Sequence, residues 1–275
     1  MTFPFPIFSA ASRVSAGDIF TAMAANAGSY ASSHPSNYSG GMYTFSATQT
    51  FGNSPEQPTR TDVFRNGDTS DSTFTAGSQA DSLGLSTTTA LAWQSSNTDD
   101  VAQDPKINGA AATAVNAFMY QTSSTSDNGK TYRSSYRVFK ATTPLTASTT
   151  TASVDFQGGS SATQLNNKGG IILLPGSWEA DSRSSVFGAT GTLTIPGGMF
   201  ALVLIQGNPD TYSDLLNFGT NASLTFLLHY NTWWYDNVQV AVIGNLTGTD
   251  QDITYSLGAD RIILPKAAFF KLAGT

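Results

Sequence analysis

Gly191-Thr-Leu-Thr-Ile-Pro-Gly-Gly198, followed at once by Met199-Phe-Ala-Leu-Val-Leu-Ile205, is the stretch whose reading decides the fold. In the first part Thr alternates with Leu and Ile, the period-two signature of a strand with one buried face. The Pro-Gly-Gly turn then leads into an apolar run. That run is too short to cross a bilayer and long enough for a strand buried on both faces. After a loop rich in Asn, Asp, Gly and Pro, the segment Ala222–Tyr230 spaces Leu224, Phe226, Leu228 and Tyr230 at period two, so one shared face is expected. Val238, Val240 and Val242 next alternate with Gln239, Ala241 and Ile243. Consecutive strands joined by short turns predict a packed antiparallel sheet core.

Composition points the same way. The chain has 275 residues, enough for one large β domain or two small ones. Charged residues are 12%, against about 25% in ordinary domains, and Ser, Thr, Gly, Asn and Ala replace them. Of the 19 acids only Glu56 and Glu179 are Glu. Asp favours turns and caps where Glu favours helices, so the imbalance predicts many loops and few helices. Seventeen Phe and ten Tyr suit strands and large contact surfaces and argue against disorder. Net charge is −6, and residues 1–60 hold only Arg13 and Arg60 as cations. Phosphate-driven binding needs clustered Lys and Arg, so no direct nucleic-acid contact is expected. No cysteine is present, which removes disulfides, thiolate metal sites and a Cys nucleophile.

Taken in order, the chain begins Met1-Thr-Phe-Pro-Phe-Pro-Ile-Phe8, with neither a positive n-region nor an unbroken apolar run, so no signal peptide is expected. Its prolines hold it extended, and Phe3, Phe5, Ile7 and Phe8 are expected against their own domain or a neighbouring subunit. Ser15 with Asp18 resembles a helix start. Ile19, Phe20 and Met23 supply an apolar stripe, and Gly28 a stop, for a short helix plugging one end of the β core. Further strands are expected at 42–51, 61–65, 72–76, 89–94, 132–140, 152–157, 170–174, 252–257, 260–264 and 267–272. Residues 110–120 suit helix and strand equally, and the Asn-Gly in 122–130 marks a turn. The segment 142–151, nearly all Thr, Ser, Ala and Pro, is expected as a linker. Domain organisation is therefore read as arm and helix over 1–40, a first β region over 41–141, that linker, and a second β region over 152–275.

Catalytic constellations are sparse. His34 lies in a Ser-Ser-His-Pro loop and His229 in a strand, neither with metal-binding or nucleophile spacing. Glu56 and Glu179 form the one pair suited to glycoside chemistry, which needs two carboxylates at a set separation. No phosphate loop or dinucleotide fingerprint occurs. Asp62, Asp68 and Asp71, or Asp250, Asp252 and Asp260, could offer oxygen ligands to calcium, with turn-forming Asp as the plainer account and no other cofactor suggested. Sequons at Asn37, Asn221 and Asn245 read as chance matches in an Asn/Ser/Thr-rich chain. The aromatics Trp178, Trp233, Trp234 and Tyr235 suit subunit contact or sugar stacking.

The strand–turn–strand of Thr192–Ile205 with the two strands after it, set among long polar loops, resembles viral jelly-roll capsid proteins. The absence of a basic arm is similar to the small double jelly-roll type, whose shell lies over a membrane or another protein. That resemblance implies an all-β, antiparallel jelly-roll β-sandwich, one elaborated roll or two small ones, with a short N-terminal helix. It implies a virion subunit made in a host cytoplasm, with copies of itself, other virion proteins or an internal membrane as partners. No enzyme activity is expected under it. Phe3, Phe5, Phe8, Trp178, Trp233, Trp234 and Tyr235 are then the contact candidates. Two other classes stay open: a fibre-tip or lectin-like module binding a host glycan, and a glycan-active enzyme centred on Glu56 and Glu179.

Overall fold

A computed structural model describes residues 14–26, 64–66, 72–75, 83–96, 105–115, 120–121, 125–127, 130–132, 135–146, 151–155, 167–186, 188, 190–206, 216–231, 238–257 and 266–274. Among them one helix, α1 (Ala16–Asn26), precedes a series of antiparallel strands. Ser15 and Asp18 form the expected cap. The Asp18 amide donates to Ser15 Oγ (3.1 Å), while Asp18 Oδ2 accepts from Ser15 N (2.9 Å) and Oγ (2.7 Å). These donors hold the Asp18 carboxyl below the usual carboxylate range. Ile19 and Phe20 are fully buried, which contributes about 1.5–3 kcal/mol for each side chain.

The first half carries β1 (Phe64–Asn66), β2 (Ser72–Thr75), β3 (Thr87–Ser96), β4 (Lys106–Ile107), β5 (Ala110–Ala111), β6 (Thr113–Ala114) and β7 (Tyr120–Gln121). It continues with β8 (Thr125–Asp127), β9 (Lys130–Tyr132), β10 (Ser135–Lys140), β11 (Leu145–Thr146), β12 (Thr151–Asp155) and β13 (Asn167–Pro175). The second half carries β14 (Trp178–Val186), β15 (Thr190–Ile195), β16 (Met199–Gln206), β17 (Leu216–Phe218), β18 (Leu224–Asn231), β19 (Val238–Asn245), β20 (Gln251–Leu257) and β21 (Lys266–Leu272). The expected strands at 42–51 and 260–264 lie outside the described residues. Residues 110–120, ambiguous in sequence, supply the short strands β5, β6 and β7. β8 and β9 close Asp127 onto Lys130, as the Asn-Gly signal predicts. A second Asn-Gly, at Asn108 (φ 51°) and Gly109 (φ 76°), turns β4 into β5.

In the first half one sheet runs β1-β13-β3-β10-β6, with β11 on β3 and β7 on β10, and a second runs β2-β12-β4-β5. In the second half one sheet runs β14-β21-β16-β19-β18 and another β15-β20-β17. The sequence of places repeats: first strand, last strand, third strand and then a later one share a sheet in each half, while the second strand lies beside the penultimate one in the other. This corrects the expected boundary. β3 from before the 142–151 segment pairs with β13 after it, and Leu145 within it pairs with Thr88. The order changes over between Pro175 and Trp178.

β16 explains its apolar run by facing two cores. Phe200, Leu202 and Leu204 join a cluster that includes Ile19, Phe20, Leu91, Val138 and Phe139, whereas Ala201, Val203 and Ile205 join Leu193, Ile195 and Ile253. The single face expected for Leu224–Tyr230 is broken by a bulge. Phe226 lies opposite Ile243 but Leu228 opposite Val242, so Leu227 is the extra residue and the alternation changes parity there. Leu224 joins the second cluster, and Leu227 the first.

α1 lies close over β19 because Gly244 has no side chain: a Cβ there would stand 2.8 Å from Phe20 Cγ. Gly244→Ala is expected to lower stability by about 1–3 kcal/mol through overpacking, read as a depressed thermal midpoint. Gly248→Ala, whose methyl would meet nothing within 4 Å, should leave that midpoint in place. Equal midpoints for both variants would contradict the close packing.

Candidate functional site

The junction between the halves is held by a dense set of hydrogen bonds and ring contacts. Gly176 (φ 93°) takes a left-handed conformation, and its amide donates to the Thr87 carbonyl at 2.7 Å. Thr89 Oγ1 accepts from the Trp178 amide (2.9 Å) and donates to the Gly176 carbonyl (2.8 Å). Lys140 Nζ donates to the Trp178 carbonyl at 3.0 Å, and Trp178 Nε1 to the Pro175 carbonyl at 2.8 Å. The Trp178 ring is stacked on Phe20 (centroids 5.3 Å) and meets Phe200 edge-on (5.1 Å), and Phe200 in turn stacks on Phe270 (4.8 Å).

The residues that the sequence singled out therefore fall in different places. Trp178 is 0% exposed, so its ring has no face to offer a sugar or a neighbouring subunit, and the expectation that it makes such a contact is corrected. Phe3, Phe5, Phe8, Trp233, Trp234, Tyr235, Glu56, His34 and Asp260 lie outside the described residues, as do Asp62, Asp68 and Asp71. The His229 backbone lies in β18 opposite Ala241. Asp250 and Asp252 are both exposed and each accepts a hydrogen bond that shapes the fold. Asp250 Oδ1 takes the Gly197 amide (3.1 Å), and Asp252 Oδ1 takes Thr194 Oγ1 (2.6 Å). Among the described residues no three His, Asp or Glu side chains converge as a metal site.

Two of the sequons prove structural. Asn245 is fully buried; its Nδ2 donates to the carbonyls of Ile195 (2.9 Å) and Thr249 (2.8 Å) and its Oδ1 accepts from Thr247 N (2.9 Å). Asn221 Nδ2 donates to the Asp252 carbonyl at 2.8 Å. A glycan on either nitrogen would displace these bonds.

Glu179 lies beside an open groove of about 690 Å³ at the seam. Thr113, Ala114 and Val115 from the first half form one wall, and Glu179, Ala180 and Asp181 from β14 another, with Lys140 and Thr142 at the base. Both walls are sheet edges, because β6 and β14 end their sheets. Thr142 Oγ1 donates to the Ala111 carbonyl at 2.6 Å, fixing the base. A bulge takes 181–183 off the ladder with β21. There Arg183 Nε bonds Asp181 Oδ1 at 2.6 Å, and this bond holds the Asp181 carboxyl below the usual carboxylate range against the opposing effect of burial. Sequence reading missed β14, whose Glu-Ala-Asp-Ser-Arg run has no β-branched residue and only a weak alternation of charge, as an edge strand allows.

Comparison with protein families, with curated proteins and with solved structures finds no match to this chain.

Two outcomes are expected at the seam. Trp178→Ala should cost about 3–5 kcal/mol in chemical denaturation. Trp178→Phe, which keeps ring packing but loses the indole donor, should cost about 1–2 kcal/mol, and a neutral Trp178→Ala would refute the central role of the ring. The second concerns pH. A depressed carboxyl pKa means that the Asp181–Arg183 contribution is present above the ordinary Asp value and is lost as pH falls through the lowered one. Arg183→Ala should move the Asp181 titration upward in a carboxyl-detected NMR series, and an unmoved curve would show that Arg183 is not the cause.

Proposed function

We propose that this chain is a structural subunit of a virus particle, built as two small jelly-roll sandwiches and assembling with copies of itself. The observation that carries this reading is the strand order: β14-β21-β16-β19 with β15-β20-β17 in one half, and β1-β13-β3-β10 with β2-β12-β4 in the other. A first strand beside a last and a second beside a penultimate is the arrangement that results when an antiparallel ribbon is rolled into a sandwich. The hydroxyl-rich surface adds support. Thr190, Thr192, Thr194, Thr254 and Ser256 are exposed on the three-stranded sheet, whose strands carry one charge, the exposed Asp252 bonded to Thr194, and such a face can be covered on assembly with little charge to desolvate. In this reading the other partners are virion proteins or an internal membrane, and the site of action is the virion.

The test is assembly. Purified chain examined by light scattering after size exclusion, and by negative-stain microscopy, should give defined oligomers or closed particles whose yield rises with protein concentration. A monomer at every concentration and salt condition would remove the proposal.

A further inference from the structure

The seam groove has a property that the shell reading does not require. In a strand the N–H and C=O of one residue point to the same edge, and those of its neighbours to the other. Ser177 O accepts from Ala273 N on the β21 side, whereas the Trp178 amide and carbonyl bond Thr89 and Lys140 on the opposite side. Ala180, two residues on, therefore aims its N–H and C=O away from β21. On the facing wall Val115 N donates to the Val138 carbonyl, and Thr113 lies opposite Lys140 in the ladder. The amide groups of Ala114, between them, must point away from β10. Both Ala114 and Ala180 line the groove, and among the described residues neither outward pair has a hydrogen-bond partner. Ala114 is half-buried and Ala180 exposed, so water meets these main-chain groups in the free chain and an incoming strand can replace it.

The walls leave room for one. Small side chains at Ala114, Ala141 and Ala180 line the groove, and its volume of about 690 Å³ falls within the range of about 300–1,000 Å³ usual for bound ligands. The charges set the preference. Asp181 is engaged by Arg183, and Lys140 is held by the Trp178 carbonyl. Glu179 is exposed and, although it stands opposite Lys271 in the β14–β21 ladder, makes no ion pair with a described residue. We propose that the groove takes up an extended peptide segment of a second polypeptide as a short added strand, paired with Ala114 and Ala180 and carrying a basic side chain toward Glu179. The bulge at 181–183 limits the pairing to a few residues, so the segment binds weakly and reversibly.

The probe is the acetylated and amidated heptapeptide Thr-Val-Thr-Lys-Thr-Val-Thr, titrated into the full chain and followed by residue-resolved amide exchange. Saturable binding with slowed exchange at both Ala114 and Ala180 is expected. N-methylation of alternate peptide residues should weaken binding by about tenfold or more, since it deletes the pairing donors along one edge. Replacing the peptide's Lys with Glu should weaken it severalfold, and Glu179→Gln should abolish that difference. Ala180→Pro removes the outward N–H while leaving the β21 ladder intact, so it should reduce binding without moving the thermal midpoint. Several results would overturn the proposal. One is equal binding of the N-methylated peptide, and another is no change at either alanine under saturation. A third is amides already protected in the free monomer, which would mean that the chain covers its own groove. A fourth is protection that grows with protein concentration alone, which would assign the groove to a second copy.

Discussion

Everything in this molecule hangs on one buried indole and the groups that hold it. Trp178 belongs to the first strand of the second half, yet its amide, carbonyl and ring nitrogen are bonded to Thr89, Lys140 and Pro175 of the first half. Its ring lies between Phe20 from the helix and Phe200 from β16. A tryptophan can be this deeply buried only when its polar edge is satisfied, and here the indole N–H finds the nearby Pro175 carbonyl while the amide and carbonyl find partners far off in the chain. The consequence is mechanical: the two halves meet through a fixed joint instead of a swivelling tether.

That joint explains the continuity of the core. One cluster passes from Leu91, Val138 and Phe139 through Phe20 and Trp178 to Phe200, Phe270 and Leu272. The second cluster, around Val203, Ile205 and Phe269, is enclosed within the second half alone. The five-stranded sheet thus serves two cores, which is why β16 has to be apolar on both faces. The same joint brings the edge strands β6 and β14 to either side of a groove, where bulge and ion pair limit how far the β14 edge can extend.

The polar surface follows a different logic. With few charges available, loops are fixed by amides and hydroxyls. Asn245 organises the turn from Thr247 to Thr249, Asp250 caps the Gly197 turn, and Asn221 holds Ser223 and Asp252. Buried side-chain amides of this kind are fully paired, so they contribute order without the desolvation cost of charges. They also account for Asn-x-Thr and Asn-x-Ser patterns that sequence alone leaves ambiguous.

Much of this architecture was legible locally. The Ser15–Asp18 cap, the Asn-Gly hairpin and the strands β15, β16, β18, β19, β20 and β21 follow from short-range chemistry: capping donors, turn conformation and period-two burial. The bulge at Leu227 was not legible, because one extra residue in an apolar run leaves the composition unchanged while reversing which face comes next. Nor was β14, an edge strand whose residues are mostly polar. The boundary between halves was misplaced for the same kind of reason: a Thr/Ser/Ala/Pro segment looks like a tether, but Leu145 finds a partner in β3. Trp178 shows the division best. The sequence by itself determined that a tryptophan would follow a Pro-Gly turn and that strands would dominate. Whether that ring faced water or filled the joint was decided only when strands far apart in the chain paired, because burial is a property of long-range contacts that no local pattern encodes.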